Sequence, residues 1–132
     1  MIIDVHTHTP SHYKSVGQDE EEYDMKMRPD RPIKMTNSID EYLRAMEPVD
    51  IAIVFGIARH PLKNDVLQHF DYVDNVNDMT ADVVALGSDK LIGFMSVHPD
   101  SDSVLEEVNR CKNDLNLQGI KLGPNYQNFD PL

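Results

Sequence analysis

The chain has 132 residues, 23 of them acidic and 12 basic, so its formal net charge is −11. This balance opposes binding to nucleic acids and to anionic membrane surfaces, because both require clustered Lys and Arg. The hydrophobic content of 40% fits one globular domain, and no stretch is apolar enough for a membrane span. The single cysteine, Cys111, excludes an internal disulfide. Because the start also lacks a leader pattern, we expect a cytoplasmic protein.

The first third of the chain contains one predicted strand, one loop and one helix. β-branched residues predict a short buried strand within 1–9. Residues 10–37 lack periodicity and carry an acidic run and two prolines, which predicts an irregular, solvated loop. The capping-box pattern Ser38–Glu41 then begins a helix that Pro48 ends.

The rest of the chain alternates between strand and helix patterns. Predicted strands cover 49–57, 91–97 and 119–122, and each is rich in apolar or β-branched residues. A helix is predicted from about Asp71 to Leu86, and the capping-box pattern Ser103–Glu106 begins another. This β-α-β-α-β-α-β order predicts an α/β domain with a parallel sheet. The alternation alone does not separate an open doubly wound sheet from part of a (β/α)8 barrel.

The clearest chemical signal is the pair His6 and His8 in the first strand. Side chains at i and i+2 of a strand point to the same face, so the two imidazoles should project together. They lie at the carboxyl end of the strand, where parallel α/β folds place their active sites. We therefore predict a divalent metal site, with a hydrogen-bonded pair of core histidines as the alternative. Asp4 has the same parity, so it is predicted either to orient an imidazole or to bind backbone amides.

Four segments resemble the amidohydrolase-related (amidohydrolase-2) family: IIDVHTH, VDIAIVFGIA, LIGFMSVHPD and QGIKLGPNYQNFDPL. The most specific feature of this resemblance is the combination of HxH on the first strand with GIKLGP on the fourth. The resemblance covers nearly the whole chain apart from 10–37. It implies that His6 and His8 are metal ligands, with zinc expected and manganese as an alternative. It also implies a distorted (β/α)8 barrel that hydrolyses, or nonoxidatively decarboxylates, a small-molecule substrate.

A complete barrel of this kind needs about 250 residues, so this chain supplies four of the eight strand–helix units. We expect it to be the N-terminal half of such an enzyme, inactive alone. The family's further ligands, a His on the fifth strand and an Asp on the eighth, would lie beyond Leu132, as would the general base. No catalytic base is therefore assigned. The two open strand edges of a half-barrel predict self-association or homo-oligomer formation.

Candidate substrate-binding residues lie at the ends of the predicted strands. Lys121 alternates with Ile120 and Leu122, which predicts that it faces the barrel interior. We expect it to bind a substrate anion or to form a structural ion pair, in preference to a carboxylated lysine that bridges two metals. The other candidates, for each of which an ordinary loop residue is the alternative, are Arg59, His98, Asn125 and Tyr126.

Two other functional classes remain open at this point. The HxHT opening also occurs in PHP-type metal-dependent phosphoesterases, although these usually carry an acidic Asp-Gly shortly afterwards. Here Ser11 and His12 follow instead, and GIKLGP has no place in that pattern. The other class is a non-catalytic fragment or interaction module that keeps the first half of the fold.

Overall fold

The computed structural model describes residues 1–9, 39–58 and 75–132. The predicted loop 10–37 lies outside the described residues. In chain order the elements are β1 (Ile3–His8), α1 (Ile39–Ala45), β2 (Ile51–Phe55), α2 (Val76–Leu86), a 3-10 turn (Ser88–Lys90), β3 (Leu91–Ser96), α3 (Val104–Asn113), β4 (Gly119–Lys121) and α4 (Pro124–Gln127).

The strands of the described residues form one four-stranded sheet in the order β1-β2-β3-β4, and each neighbouring pair is parallel. The predicted α/β architecture with a parallel sheet is therefore confirmed. Because all strands run the same way, their carboxyl ends share one edge of the sheet. His8, Phe55, Ser96 and Lys121, each the last residue of its strand, lie along this edge.

The hydrophobic core lies between one face of the sheet and the helices. Its larger cluster joins Tyr42 of α1 and two residues of α2 to alternate residues of β2 and to the first residue of β3; the members are Tyr42, Ala52, Val54, Met79, Val83 and Leu91. A smaller cluster forms where α3 meets β3, from Met95, Cys111 and Leu117. Residues of the opposite strand parity, such as Ile53 and Phe94, face the other side and are only half-buried. We call this second side the open face of the sheet.

Gly93 allows the helix layer to pack closely on β3. A Cβ atom at this position would lie 2.5 Å from Cδ2 of Leu117 and 3.0 Å from Cγ2 of Val84. Both distances are shorter than ordinary van der Waals contact, so a side chain here would push α2 and the segment before β4 away from the sheet.

A polar network ties α2, β3 and α3 together. The Asn77 side chain accepts a hydrogen bond from the Ser96 amide at 2.7 Å and donates to the Ser96 carbonyl at 3.1 Å. It also donates to Glu107 at 2.8 Å, and Asn75 donates to the same carboxylate at 3.1 Å. Arg110 binds Glu107 through Nε at 2.8 Å and through Nη2 at 2.9 Å. These charge-assisted bonds hold the pKa of Glu107 at about 2.

One predicted helix start is wrong, and one predicted capping box does not form although its helix begins where predicted. The α2 helix begins at Val76, not near Asp71, because Asn75 is extended (φ −145°) and its side chain caps the amides of Asn77 and Asp78. At α3 the predicted capping box does not form. Ser103 is the N-cap residue but makes no side-chain capping bond, and its hydroxyl instead contacts Ser101. The first capping-box pattern includes Ser38, which lies outside the described residues.

Within the described residues, no helix is long and apolar enough to cross a membrane.

Candidate functional site

His6 and His8 lie side by side at the carboxyl end of β1. Their ring centroids are 5.3 Å apart, with the ring planes inclined by 57°. Both rings meet Phe55 of β2 edge to face, with centroid distances of 5.0 Å for His6 and 4.9 Å for His8. Phe55 is buried beneath them, whereas the histidines are exposed. The two imidazoles therefore share one apolar base, the Phe55 ring.

The ring separation fits a shared metal ion. Zinc binds imidazole nitrogens at about 2.0–2.1 Å in a tetrahedral arrangement, which places the centroids of two such rings roughly 5 Å apart. The observed separation of 5.3 Å agrees with this geometry. A catalytic zinc site uses three protein ligands, and the described residues contain no group of three or more His, Cys, Asp and Glu side chains that could hold a metal.

Asp4 does not follow the strand alternation that predicted it beside the histidines. The register between β1 and β2 shifts between Asp4 and Thr7, so both residues pair with helix-facing positions of β2, Ala52 and Val54. The Asp4 carboxylate accepts a hydrogen bond from the backbone amide of His6 at 3.0 Å. Of the two roles considered for Asp4, this contact corresponds to the binding of a backbone amide.

Thr7 and Tyr42 anchor β1 from the helix side of the sheet. Their hydroxyl oxygens are 2.8 Å apart, and Thr7 also donates to the Ile53 carbonyl at 2.9 Å. Burial raises the pKa of Tyr42, and the negative charge of Asp4 raises it further. Because Thr7 is fixed on the helix side, its neighbours His6 and His8 are directed to the open face.

Lys121 of the opposite edge strand, β4, contacts the same Phe55 ring as the two histidines. It pairs with Ser96 at the end of β4, and its Nζ atom lies 4.7 Å from the centre of the Phe55 ring. Phe55 therefore contacts the lysine and both imidazoles. We call these four residues, His6, His8, Phe55 and Lys121, the histidine–lysine cluster. Among the described residues Lys121 forms no ion pair with a carboxylate.

His98 is held by backbone groups at the end of β3. It is buried, with its Nε2 atom 2.7 Å from the Gln127 carbonyl and its Nδ1 atom accepting a hydrogen bond from the Asp100 amide at 3.1 Å. Since Nδ1 accepts, Nε2 carries the proton and donates. Phe129 packs edge to face on the ring, with centroids 5.7 Å apart. These bonds use both ring nitrogens to fix the segments that follow β3 and β4.

Gln127 connects the segments that follow β2, β3 and β4, and it was not among the residues predicted from the sequence. Its fully buried side chain accepts from the Gly123 amide at 2.7 Å and donates to the carbonyls of Ala58 and Val97, each at 2.9 Å. Its four-residue helix, α4, lies in a tail without apolar periodicity, so no sequence pattern indicated it. The buried glutamine thus fixes the edge of the sheet on which Lys121 lies.

Three further residues were predicted to bind the substrate: Asn125, Tyr126 and Arg59. Asn125 is exposed in α4, just after β4. Tyr126 belongs to the same helix, but its side chain is outside the description, and Arg59 lies in the undescribed segment 59–74.

Comparison with known proteins identifies no relative of this chain. No protein-family model matches it, and neither the curated proteins nor the solved structures include a significant match.

Proposed function

We propose that His6 and His8 bind one divalent metal ion, zinc in the first place, as part of the active site of a metal-dependent enzyme of the amidohydrolase-related type. The observation that carries this proposal is the placement of two exposed imidazoles, 5.3 Å apart, on one face at the carboxyl end of the first parallel strand. The donor type agrees with the metal, because neutral imidazole is a common zinc ligand. The substrate class is a small carbonyl compound, which the enzyme hydrolyses or nonoxidatively decarboxylates.

The sheet is proposed to form the first four units of a (β/α)8 barrel. In such a barrel the helices cover the outer face, and the inner face carries the catalytic side chains at its carboxyl end. The helix-packed core on one face and the histidine–lysine cluster on the other support this assignment. The two edge strands also expose apolar side chains, with Val5 66% and Ile120 50% accessible. Further strands of a barrel would cover such edges.

Each residue of the cluster has a distinct task in this proposal. His6 and His8 hold the ion. When bound, the ion supplies a water molecule that ionises near neutral pH, and the ion itself polarises a carbonyl oxygen. Phe55 keeps both rings in place and excludes water from beneath them. Lys121 contributes positive charge on the same side of the sheet, where it stabilises negative charge on a bound molecule.

Calorimetric titration with zinc tests the metal site. We expect the wild-type chain to bind about one zinc ion and the His6→Ala/His8→Ala double variant to lose this binding. Asp82→Asn, which removes an exposed carboxylate from α2 in the helix layer, is the control and should bind zinc like wild type. Circular dichroism verifies that each variant is folded. A folded wild-type chain without zinc affinity, or equal affinity in the double variant, would contradict the proposal.

Zinc-dependent hydrolysis of p-nitrophenyl acetate shows whether this chain is catalytic by itself. Release of p-nitrophenol that requires zinc and disappears in the double variant supports the enzyme assignment. Zinc binding without turnover is the result expected both for one half of the barrel and for a non-catalytic module that keeps the metal site.

A further inference from the structure

Among the described residues, Lys121 is a half-buried cation that forms no ion pair with a carboxylate. The sequence as a whole has 23 acidic side chains and a net charge of −11. Within the described part of the chain, however, the contact made by the Lys121 ammonium is with the face of Phe55, at 4.7 Å. A partly desolvated ammonium is unfavourable without a counter-charge, and an aromatic face compensates for only part of that loss.

Two other described cations, Arg110 and Lys90, have polar partners. Arg110 binds Asp78 at 2.6 Å and Glu107 at 2.8 Å. Lys90 donates to the carbonyl of Glu47 at 3.0 Å. Lys121 instead lies on the open face of the sheet, on the ring that also contacts the two histidines. Because no described carboxylate pairs with it, its ammonium group is available to an anion that enters the candidate site.

We propose that Lys121 binds a carboxylate group of the substrate, and that this carboxylate is a recognition group separate from the reacting carbonyl. The inference rests on the proposed function, because the histidine pair defines where the reacting group lies. A carboxylate suits the site, since the described part of the cluster offers a single ammonium and so compensates one negative charge. A phosphate dianion would leave one charge uncompensated in a protein that is already acidic.

The histidine–lysine cluster also limits the distance between the two groups of the substrate that it binds. The Lys121 Nζ atom is 4.7 Å from the Phe55 ring centre, and that centre is 4.9 Å from the His8 ring centre, so the ammonium and the imidazole are at most about 9.6 Å apart. The substrate is therefore a bifunctional compound in which the carboxylate and the reactive carbonyl are separated by about this distance or less.

The test uses benzoate and its neutral isostere benzamide as probes, titrated into the metal-free chain and followed by NMR. We expect benzoate to bind in the millimolar range and to shift the side-chain resonances of Lys121, whereas benzamide binds at least tenfold more weakly. Lys121→Met should weaken benzoate binding at least tenfold, and Lys121→Arg, which keeps the charge, should stay within about threefold of wild type. Lys112→Met removes an exposed charge from α3 and is the matched control, expected to leave benzoate affinity unchanged.

Two results would overturn the inference. One is unchanged benzoate affinity in Lys121→Met, which would mean that the lysine only covers Phe55. The other is inorganic phosphate binding more tightly than benzoate and being lost in the same variant, which would assign the site to a phosphate group. Zinc titration of Lys121→Met distinguishes this failure from failure of the metal site. If Lys121→Met binds zinc normally but no longer binds benzoate, both proposals are supported. If the wild-type chain binds benzoate through Lys121 but does not bind zinc, only the metal site is removed.

Discussion

The Glu107 carboxylate offers a test of how the helix layer is held to the sheet. It accepts hydrogen bonds from Arg110, Asn77 and Asn75, and its pKa is lowered from 4.5 to about 2, first by Arg110 and then by the asparagines. One pKa unit corresponds to about 1.4 kcal/mol, so the shift sets an upper limit of about 3.5 kcal/mol on the stabilisation. Because 23% of the Glu107 side chain and 33% of the Arg110 side chain remain accessible, solvent screening reduces this to about 1–2 kcal/mol.

The direction of the pH dependence follows from the lowered pKa. Glu107 contributes its full stabilisation above the unfolded-state value of 4.5, and this contribution is lost as the pH falls towards about 2. Glu107→Gln should therefore lower the free energy of unfolding by about 1–2 kcal/mol at pH 7, with a difference from wild type that shrinks steadily below pH 4.5. Urea unfolding followed by circular dichroism at 222 nm, repeated between pH 7 and pH 2.5, measures both effects.

Glu106→Gln is the matched control, because it removes the same charge one residue earlier in α3 from an exposed position. It should change the free energy of unfolding by less than about 0.5 kcal/mol. The reasoning would be refuted if Glu107→Gln were as stable as Glu106→Gln at pH 7. It would equally be refuted if the destabilisation were the same at pH 2.5 as at pH 7.

Three further outcomes are expected. Gly93→Ala should destabilise the fold by about 1–3 kcal/mol in urea unfolding, because its methyl group would overlap Leu117 and Val84; an unchanged midpoint would contradict the close packing. Gln127→Leu should cost about 2–4 kcal/mol, since it leaves one amide and two carbonyls without their buried partner, and wild-type stability would show that these bonds are dispensable. Burial and the nearby Glu107 charge raise the pKa of Cys111 to about 12, so the native thiol should resist a disulfide reagent at pH 8 that modifies it promptly in urea.

Strand periodicity was sufficient to predict the centre of the candidate site. The i, i+2 spacing of His6 and His8 predicted one shared face, and their rings do lie together on Phe55. The alternation around Lys121 predicted the side opposite to Ile120 and Leu122. Its contact with Phe55 places it on the open face, the same face as the imidazoles. Such predictions succeed because a regular strand fixes the direction of every second side chain.

The same argument failed where the backbone is irregular. Asp4 was predicted to share the face of the histidines, but with the register shift in β1 it pairs with Ala52, a helix-facing position of β2. The environment of His98 depends on Gln127 and Phe129, which lie 29 and 31 positions further along the chain in a tail without periodicity. Long-range contacts of this kind leave no local pattern in the sequence, so neither the burial of His98 nor the role of Gln127 could be predicted.

The most direct test of the account is to observe the imidazole nitrogens while zinc is added. Long-range 1H–15N spectra of the uniformly labelled chain resolve the ring nitrogens of each histidine. We predict that one nitrogen of His6 and one of His8 shift together and reach their end points at one equivalent of zinc, while the nitrogens of His98 keep their positions because both are bound to backbone groups. Independent shifts of His6 and His8, or no shift of either in the folded chain, would contradict the shared metal site.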